Sequence, residues 1–248
     1  MEDRGNQEQH QHEQEEEIVC LDESFFINDN YQLTKFTFGS LDIQLFCLHS
    51  ASTDFDLTGQ LVWPGAMLMN DYLSKNIEML QGCTVIELGS GVGVTGILCS
   101  RFCNKVVMTD HNEEVLKILK KNIELHSRPE NISSTSHGLV AEKLEWGNID
   151  QINEILQKHP GGFDFILGAD ICFQQSSIPM LFDTVKQLLQ VREGRKCKFI
   201  LAYVSRAKTM DSMIITEASK LQLQMKEVPG TRRIIQNLEG VIFEVSLE

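Results

Sequence analysis

The residues with the clearest capacity for chemistry form a glycine-rich turn at 85–96. An apolar stretch leads into Gly89, and Ser90, Gly91 and Gly93 follow within four positions. Glycines let a backbone approach a ligand without Cβ clashes, and a helix that starts after such a turn directs its free N–H groups toward that ligand. We therefore predict a strand, a turn and a helix start that hold an adenine-containing cofactor.

Two acidic residues bear on the choice of cofactor. Gly91, Gly93 and Gly96 also match the dinucleotide pattern G-x-G-x-x-G, so an NAD site is an alternative. Asp110 ends the next predicted strand and can accept hydrogen bonds from ribose hydroxyls in either case. Glu87 separates the two, because a carboxylate repels a pyrophosphate but attracts the α-ammonium and sulfonium groups of S-adenosylmethionine. The structural alternative for Glu87 is an ion pair with a lysine or arginine.

Aromatic and acidic residues elsewhere can complete such a site. Trp63 and Trp146 are the chain's two tryptophans, and each lies beside turn residues. Their rings can stack on adenine or lie against a cationic sulfur, although a single tryptophan more often fills a core. Asp170 follows an apolar run, and Phe173 comes three residues later. Open α/β sheets bind ligands at the carboxyl ends of their parallel strands, so Asp170 and Phe173 can face a ligand there. The alternative is that Asp170 caps a helix or belongs to a turn.

The elements that must position these residues alternate along the chain. Apolar runs typical of buried strands lie at 84–88, 106–109, 165–169 and 199–203, with a weaker run near 137–140. Helical patterns lie between and after them at 94–102, 113–125, 178–191 and 208–221. Strands that are apolar throughout and alternate with helices indicate a parallel sheet covered on both faces. Two final strands, at 222–228 and 240–247, predict an antiparallel hairpin that closes the sheet.

The first third of the chain differs from this pattern. Residues 1–17 are rich in Gln, Glu and His, which predicts a disordered tail. Residues 31–48 alternate in polarity around a Gly-Ser turn and predict a β-hairpin. Residues 65–80 predict an amphipathic helix with Pro64 at its first position. We divide the chain into a tail (1–17), an N-terminal extension (18–80) and a core domain (81–248).

Composition argues against several classes of protein. The net charge of −13 is opposite in sign to that of most nucleic-acid-binding proteins. No apolar run approaches the roughly 18–20 residues of a membrane span, and no secretory signal is visible. The seven cysteines are scattered, with no spacing typical of zinc sites, so we predict no metal. We expect a monomer in the cytoplasm or also in the nucleus.

Taken together, these segments resemble the class I methyltransferases of the small protein-lysine methyltransferase group, methyltransferase family 16, from about residue 31 onward. The matching pieces are residues 59–65 (Gly-Gln-Leu-Val-Trp-Pro-Gly), 87–93 (Glu-Leu-Gly-Ser-Gly-Val-Gly), Asp110, 145–147 (Glu-Trp-Gly), 170–173 (Asp-Ile-Cys-Phe) and Tyr203. The Trp-Pro lead-in and the Asp-x-x-Phe motif are more specific than the glycine loop.

The resemblance implies a Rossmann-like, seven-stranded methyltransferase sheet, S-adenosylmethionine as cofactor, and a lysine of a protein substrate as acceptor. The implied cofactor-binding residues are Trp63, Glu87, Gly89, Ser90, Gly91, Gly93, Asp110 (ribose), Trp146 (adenine), Ala169 and Phe173. Asp170 and Phe173 are the implied catalytic residues, although tyrosine is commoner than phenylalanine at the last motif position. A histidine, an N-terminal amine or a small molecule is the alternative acceptor, and a non-catalytic binding module is the alternative role.

Overall fold

The computed structural model describes residues 31–49, 55–127, 138–190 and 197–248, with residues 55–57 described by their backbone alone. The predicted tail at 1–17 lies outside these ranges. The strands are β1 (Gln32–Phe38), β2 (Leu41–Cys47), β3 (Thr84–Leu88), β4 (Lys105–Asp110), β5 (Leu139–Lys143), β6 (Phe165–Ala169), β7 (Lys198–Val204), β8 (Leu223–Glu227), β9 (Arg233–Ile235) and β10 (Leu238–Leu247). The α-helices are α1 (Pro64–Lys75), α2 (Val94–Cys99), α3 (Glu113–His126), α4 (Ile149–Lys158), α5 (Ile178–Gln190) and α6 (Lys208–Lys220).

The central sheet has the order β5-β4-β3-β6-β7-β10-β8, and the short β9 pairs with β10. Strands β3 to β7 pair in parallel, whereas β10 lies antiparallel between β7 and β8. The predicted fold class is therefore confirmed. The strand order reverses beside β3, which is flanked by β4 on one side and β6 on the other. This reversal opens a crevice at the carboxyl ends of these strands, where ligands of such sheets bind.

Two hydrophobic clusters cover the two faces of the sheet. Successive side chains of a strand point to opposite faces, so Val85 joins one cluster and Ile86 joins the other. The β1–β2 hairpin and helices α1, α2 and α3 supply the first cluster. Helices α4, α5 and α6 supply the second. This double cover explains why the central strands are mostly apolar on both faces.

The predicted N-terminal hairpin is confirmed, and a buried amide joins it to the rest of the domain. Strands β1 and β2 pair around Gly39, whose φ of 61° places it in the left-handed region. Asn122 in α3 accepts a hydrogen bond from Phe46 N at 2.8 Å and donates to Phe46 O at 3.0 Å. The same amide nitrogen donates to Val92 O at 2.9 Å, next to the glycine turn. The hairpin is therefore attached to the predicted cofactor loop.

Several elements differ from the sequence-based expectations, and α2 ends at Cys99 rather than at 102. Helix α1 ends at Lys75 rather than continuing to 80, because the Asn76 side chain donates to Tyr72 O and its backbone leaves the helical region. Helix α4, which follows the Asn148 cap, was not predicted, and neither was the three-residue strand β9. Among the helices of the described residues, none combines the length and apolarity that a membrane span requires.

Candidate active site

One cleft at the carboxyl ends of β3, β4 and β6 brings the predicted site residues together. Its walls come from the glycine turn, the segment before α1, the end of β4, the loop before α4 and the end of β6. All predicted site residues except one line this cleft: Trp63, Glu87, Gly89, Ser90, Gly91, Asp110, Trp146, Ala169, Asp170 and Phe173. The exception is Gly93.

The glycine turn is pressed tightly between neighbouring segments. A Cβ atom on Gly91 would lie 2.6 Å from the carbonyl oxygen of Gly59, and the φ of Gly91 is 53°. Only glycine fits there without moving the backbone. Gly93 has a different role, because it precedes α2 and a Cβ there would lie 2.5 Å from the Leu119 side chain. Its predicted contact with a cofactor stays a prediction.

Glu87 is a buried acid near the carboxyl end of β3. Its exposed fraction is 2%, and its Oε2 accepts a hydrogen bond from Gly96 N at 3.0 Å. The Ser90 hydroxyl donates to the main-chain carbonyl of Glu87 at 3.3 Å, and the nearby hydroxyls of Ser90 and Thr95 lower the pKa of the carboxyl group. Burial raises the pKa of Glu87 to about 7 despite these donors. No lysine or arginine in the described ranges forms an ion pair with it, so the structural alternative proposed for Glu87 finds no partner there.

Asp110 ends β4 on the opposite side of the glycine turn. Its Oδ2 accepts from Gly91 N at 3.1 Å and its Oδ1 from Asn112 N at 3.2 Å. Burial raises the pKa of Asp110, while these backbone N–H groups and nearby His111 act in the opposite direction. A fixed carboxylate at a strand end can accept hydrogen bonds from vicinal hydroxyls, as a ribose site requires.

Trp146 lines the same cleft as Asp110. A Cβ on Gly89 would lie 3.4 Å from Trp146 Cζ2, so the ring lies directly against the glycine turn. The next residue, Gly147, has a φ of 84° and donates from its N–H to Thr184 Oγ1 at 2.8 Å. A cavity of about 250 Å³ adjoins the ring and is also lined by Met180. This flat, half-buried face is suited to stacking on a purine.

Asp170 caps a helix that lies more than a hundred residues earlier in the chain. Its side chain has an exposed fraction of 2%, and its Oδ2 accepts from Gly65 N, near the start of α1, at 2.8 Å. A Cβ on Gly65 would lie 2.6 Å from the Asp170 Cβ, which explains the glycine. Asp170 also has a φ of 61°, a left-handed value that is uncommon for an aspartate. Asp170 therefore does cap a helix, as the structural alternative for this residue predicts, and that helix is α1.

Arg206 is the site residue that the sequence reasoning missed. It donates from both terminal nitrogens to the two oxygens of Asp170, with Nη2 to Oδ2 at 2.9 Å. Its Cζ lies 5.7 Å from the centre of the Trp63 ring, within the range of a cation–π contact. The Trp63 indole N–H in turn donates to Thr58 O at 2.8 Å. The signal in the sequence is the position of Arg206, two residues after the end of β7 at the same sheet edge.

A second cavity, which we call the acceptor cavity, adjoins the cleft at this end. Its volume is about 220 Å³, and its lining residues are Thr58, Trp63, Asp170, Phe173 and Arg206. Phe173 is 43% exposed and belongs to both the cleft and this cavity. Tyr203, another part of the family motif, does not line either one and instead donates its hydroxyl to Asp211 at 2.5 Å.

The sequence is similar to those of known lysine methyltransferases. A family model described as lysine methyltransferase matches residues 48–220. The chain is 33% identical to protein N-lysine methyltransferase METTL21A of Mus musculus over 129 residues, which cover 52% of this chain and 54% of that protein. It is 35% identical to EEF1A lysine methyltransferase 3 of Xenopus tropicalis over 127 residues, which cover 51% of each chain. The chain thus spans about half the length of these curated relatives.

The fold is similar to that of a solved methyltransferase of another kind. Magnesium protoporphyrin IX methyltransferase from Synechocystis PCC 6803, solved with bound SAM, aligns with a TM-score of 0.51 and 10% identity. The alignment covers 80% of this chain and 86% of that chain. At this identity the likeness concerns the fold alone.

Proposed function

This chain belongs to the lysine methyltransferase family, and we propose that it transfers the methyl group of S-adenosylmethionine to a lysine side chain of a protein. The observation that carries the proposal is the junction of two chambers. A cleft with the buried acids Glu87 and Asp110 shares lining residues with the acceptor cavity, which is bounded by Trp63, Phe173 and the Asp170–Arg206 pair.

The chemistry of the cleft fits S-adenosylmethionine. Glu87 is suited to the α-ammonium group, Asp110 to the ribose hydroxyls and Trp146 to the adenine. The glycine turn leaves space that a Cβ would fill, so the cofactor can lie against bare backbone. When bound, the cofactor supplies a methyl carbon on a positively charged sulfur, the electrophile of the reaction. An NAD pyrophosphate would instead meet the negative charge of Glu87.

The acceptor cavity favours the neutral form of the acceptor amine. A free lysine amine has a pKa of about 10.4 and must lose its proton before its lone pair can form a bond to carbon. Two aromatic walls, Trp63 and Phe173, disfavour the charged form by desolvation. Both Asp170 oxygens accept hydrogen bonds from Arg206, and one also accepts from Gly65, so they are poorly placed to take that proton. We infer that the amine proton leaves to water.

Asp170 and Arg206 then act through position and charge rather than as a base. Methyl transfer moves the positive charge from sulfur to nitrogen, and a fixed carboxylate nearby stabilises the developing charge. The pair also anchors the start of α1 and the Trp63 ring, which form one wall of the acceptor cavity. Orientation of this kind can contribute up to roughly 7–11 kcal/mol to a reaction.

A labelling experiment tests the proposal. Wild-type protein, Asp170→Asn and the surface control Glu154→Gln are each incubated with a cell lysate and cofactor carrying a labelled methyl group. Mass spectrometry then locates the label, while calorimetry with S-adenosylhomocysteine reports cofactor binding. We expect labelled lysines in one or a few proteins with wild type and Glu154→Gln, and little label with Asp170→Asn.

The other outcomes identify the alternatives. Label on histidine, on an N-terminal amine or on a small molecule would keep the cofactor and overturn the acceptor. Absence of both label and S-adenosylhomocysteine binding would instead favour a non-catalytic module. A protein acceptor rather than a nucleic acid or a membrane, a monomeric state and a cytoplasmic or nuclear location stay predictions.

A further inference from the structure

Two opposite charges line the acceptor cavity. The Arg206 guanidinium and the Asp170 carboxylate both border it, together with the aromatic rings of Trp63 and Phe173. The Asp170 side chain is 2% exposed and that of Arg206 is 31% exposed, so the cation reaches solvent while the anion is buried. An acceptor amine that enters this space therefore meets a cation as well as a carboxylate.

Asp170 has little hydrogen-bonding capacity left for an acceptor amine. Its Oδ1 accepts from Arg206 Nη1, and its Oδ2 accepts from Arg206 Nη2 at 2.9 Å and from Gly65 N at 2.8 Å. A carboxylate offers roughly four acceptor positions, and these donors occupy three of them. Bidentate pairs of this kind are among the strong hydrogen-bonded contacts of proteins. Arg206 thus takes the place that an acceptor ammonium would otherwise have at this acid.

The Trp63 ring faces the same cation. Arg206 Cζ lies 5.7 Å from the ring centre. An aromatic face attracts a cation, so this ring would otherwise favour a charged acceptor as the carboxylate would. Both groups that attract a cation are therefore already in contact with Arg206. The acceptor is left with the apolar surface of Phe173 and a space of about 220 Å³.

The neighbouring titratable groups of the described chain leave this charge balance unchanged. Burial raises the pKa of the Cys172 thiol and of the Tyr203 hydroxyl, so both groups near the pair are neutral at physiological pH. Asp211 on α6 accepts a hydrogen bond from the Tyr203 hydroxyl at 2.5 Å and is not among the described residues that line the cavity. The hydrogen bonds to Asp170 raise the pKa of Arg206, which stays charged.

We propose that Arg206 is a specificity-determining residue that makes the acceptor cavity select the neutral form of an amine. This inference rests on the proposed function, since it takes the cavity as the place of the acceptor lysine. An unpaired Asp170 would hold the lysine ammonium as an ion pair, and the ammonium has no lone pair for the methyl carbon. With Arg206 in place, a second cation gains no such partner and is repelled by the guanidinium.

Ligand-observed NMR titrations of protein saturated with S-adenosylhomocysteine test this charge selection at pH 7.5. n-Butylamine has the four-carbon chain of lysine and is a cation at this pH, whereas butan-1-ol has the same length and no charge. Wild type should bind the alcohol at least as tightly as the amine. Arg206→Gln removes the cation but keeps a donor for Asp170, so the ratio of the two affinities should shift about tenfold toward the amine.

Further variants separate charge from structural damage. Arg206→Lys keeps the cation without the bidentate contact and should keep the wild-type ratio. Asp170→Asn/Arg206→Gln removes both charges, so its ratio should return to that of wild type. Lys208→Gln is the matched control, because it removes an exposed cation at the start of α6. It should leave the ratio unchanged.

Methyl transfer to the labelled acceptor protein gives a second readout. In Arg206→Gln the ion pair with Asp170 should raise the pKa of the bound amine, so the rise of kcat with pH should move about one unit higher. The KM for the acceptor should fall at the same time. A loss of kcat that is equal at every pH would indicate structural damage and would overturn the inference.

The binding titrations can overturn it as well. An unchanged affinity ratio in folded Arg206→Gln, a shifted ratio in the double variant, or failure of wild type to bind either small ligand would each do so. S-adenosylhomocysteine should bind to wild type and Arg206→Gln alike, because Arg206 is not among the described residues that line the cofactor cleft. If wild type does not bind it, the proposed function itself fails.

Discussion

The two ends of the cleft hold their buried carboxylates in opposite ways. At the cofactor end, Glu87 and Asp110 accept hydrogen bonds from backbone N–H groups, and neither forms an ion pair with a lysine or arginine of the described chain. At the acceptor end, Asp170 is paired with Arg206 through both oxygens. The first arrangement leaves negative charge for a cationic ligand to neutralise. The second satisfies its charge within the protein and serves as a fixed wall.

The difference has an energetic counterpart. A buried charge without a counter-ion destabilises the free protein, whereas removal of one member of a buried pair leaves the other uncompensated. Replacement of Glu87 by a neutral residue should therefore stabilise the free protein, whereas replacement of Asp170 should destabilise it. The contrast can be tested by four substitutions.

The largest effect is expected from Asp170→Ala. The change leaves Arg206 without its partner and removes the cap on Gly65, so we expect the free energy of unfolding to fall by about 3–5 kcal/mol. Urea denaturation measures this loss, and turnover should largely disappear. S-adenosylhomocysteine should still bind to the folded fraction of the variant. Equal losses of binding and turnover would contradict the separation of the two ends, and Asp170→Asn/Arg206→Gln, which removes both charges, should recover part of the stability.

Glu87→Gln should act in the opposite direction. Because the pKa of Glu87 is about 7 in the fold and near 4.5 when unfolded, the native state binds the extra proton, and stability should fall as pH rises from about 4.5 to 7. The variant lacks this dependence. We expect it to be more stable than wild type by roughly 3 kcal/mol at pH 8 and about equal at pH 4, as measured by urea denaturation without ligand. A less stable variant at pH 8 would show that Glu87 has a partner in the fold.

Asp110→Ala should affect binding more than stability. It removes a carboxylate that we place against the ribose hydroxyls, and hydrogen bonds to charged groups contribute about 1.5–3 kcal/mol. The affinity for S-adenosylhomocysteine should therefore fall roughly tenfold to a hundredfold in calorimetry. Glu154→Gln, which removes an exposed acid from α4, serves as the matched control. Unchanged affinity in Asp110→Ala would remove the ribose assignment.

Phe173→Tyr should produce the smallest change. Phe173 is 43% exposed at the junction of the cleft and the acceptor cavity, so an added hydroxyl can remain in water. We expect turnover and cofactor affinity to change by less than about 1 kcal/mol, or about fivefold. Steady-state kinetics on the labelled acceptor protein measures the first, and calorimetry measures the second. A larger gain would mean that the missing hydroxyl limits the reaction.

Much of the fold follows from local patterns in the sequence. The buried strands β3 and β6 are mostly apolar, and their predicted limits agree with the structure. Helix α4 escaped prediction because its buried residues, Ile152 and Ile155, form only a short apolar stripe. The predicted helix α1 was too long because apolar residues continue at helical spacing past Asn76. In the structure the Asn76 side chain donates a hydrogen bond to Tyr72 O, and the helix ends there.

The site was predictable to the extent that its residues belong to local motifs. Glu87 and Asp170 each lie beside a recognisable strand end. Arg206 and Asn122 were missed because each acts on a residue far along the chain, at separations of 36 and 76 positions. A polar residue in an amphipathic helix is normally assigned to the exposed face, so nothing local marks Asn122 as buried.

The Asn122 bridge makes the N-terminal hairpin a reporter of the cofactor loop. Its one amide group holds the backbone of Phe46 on β2 and the carbonyl of Val92 beside the glycine turn. A ligand that orders the turn should therefore also slow the opening of β2. The Phe46 amide proton, which is donated to Asn122, would then exchange with solvent more slowly when the cleft is filled. Isotope exchange at a single remote position can thus follow occupancy of the cleft.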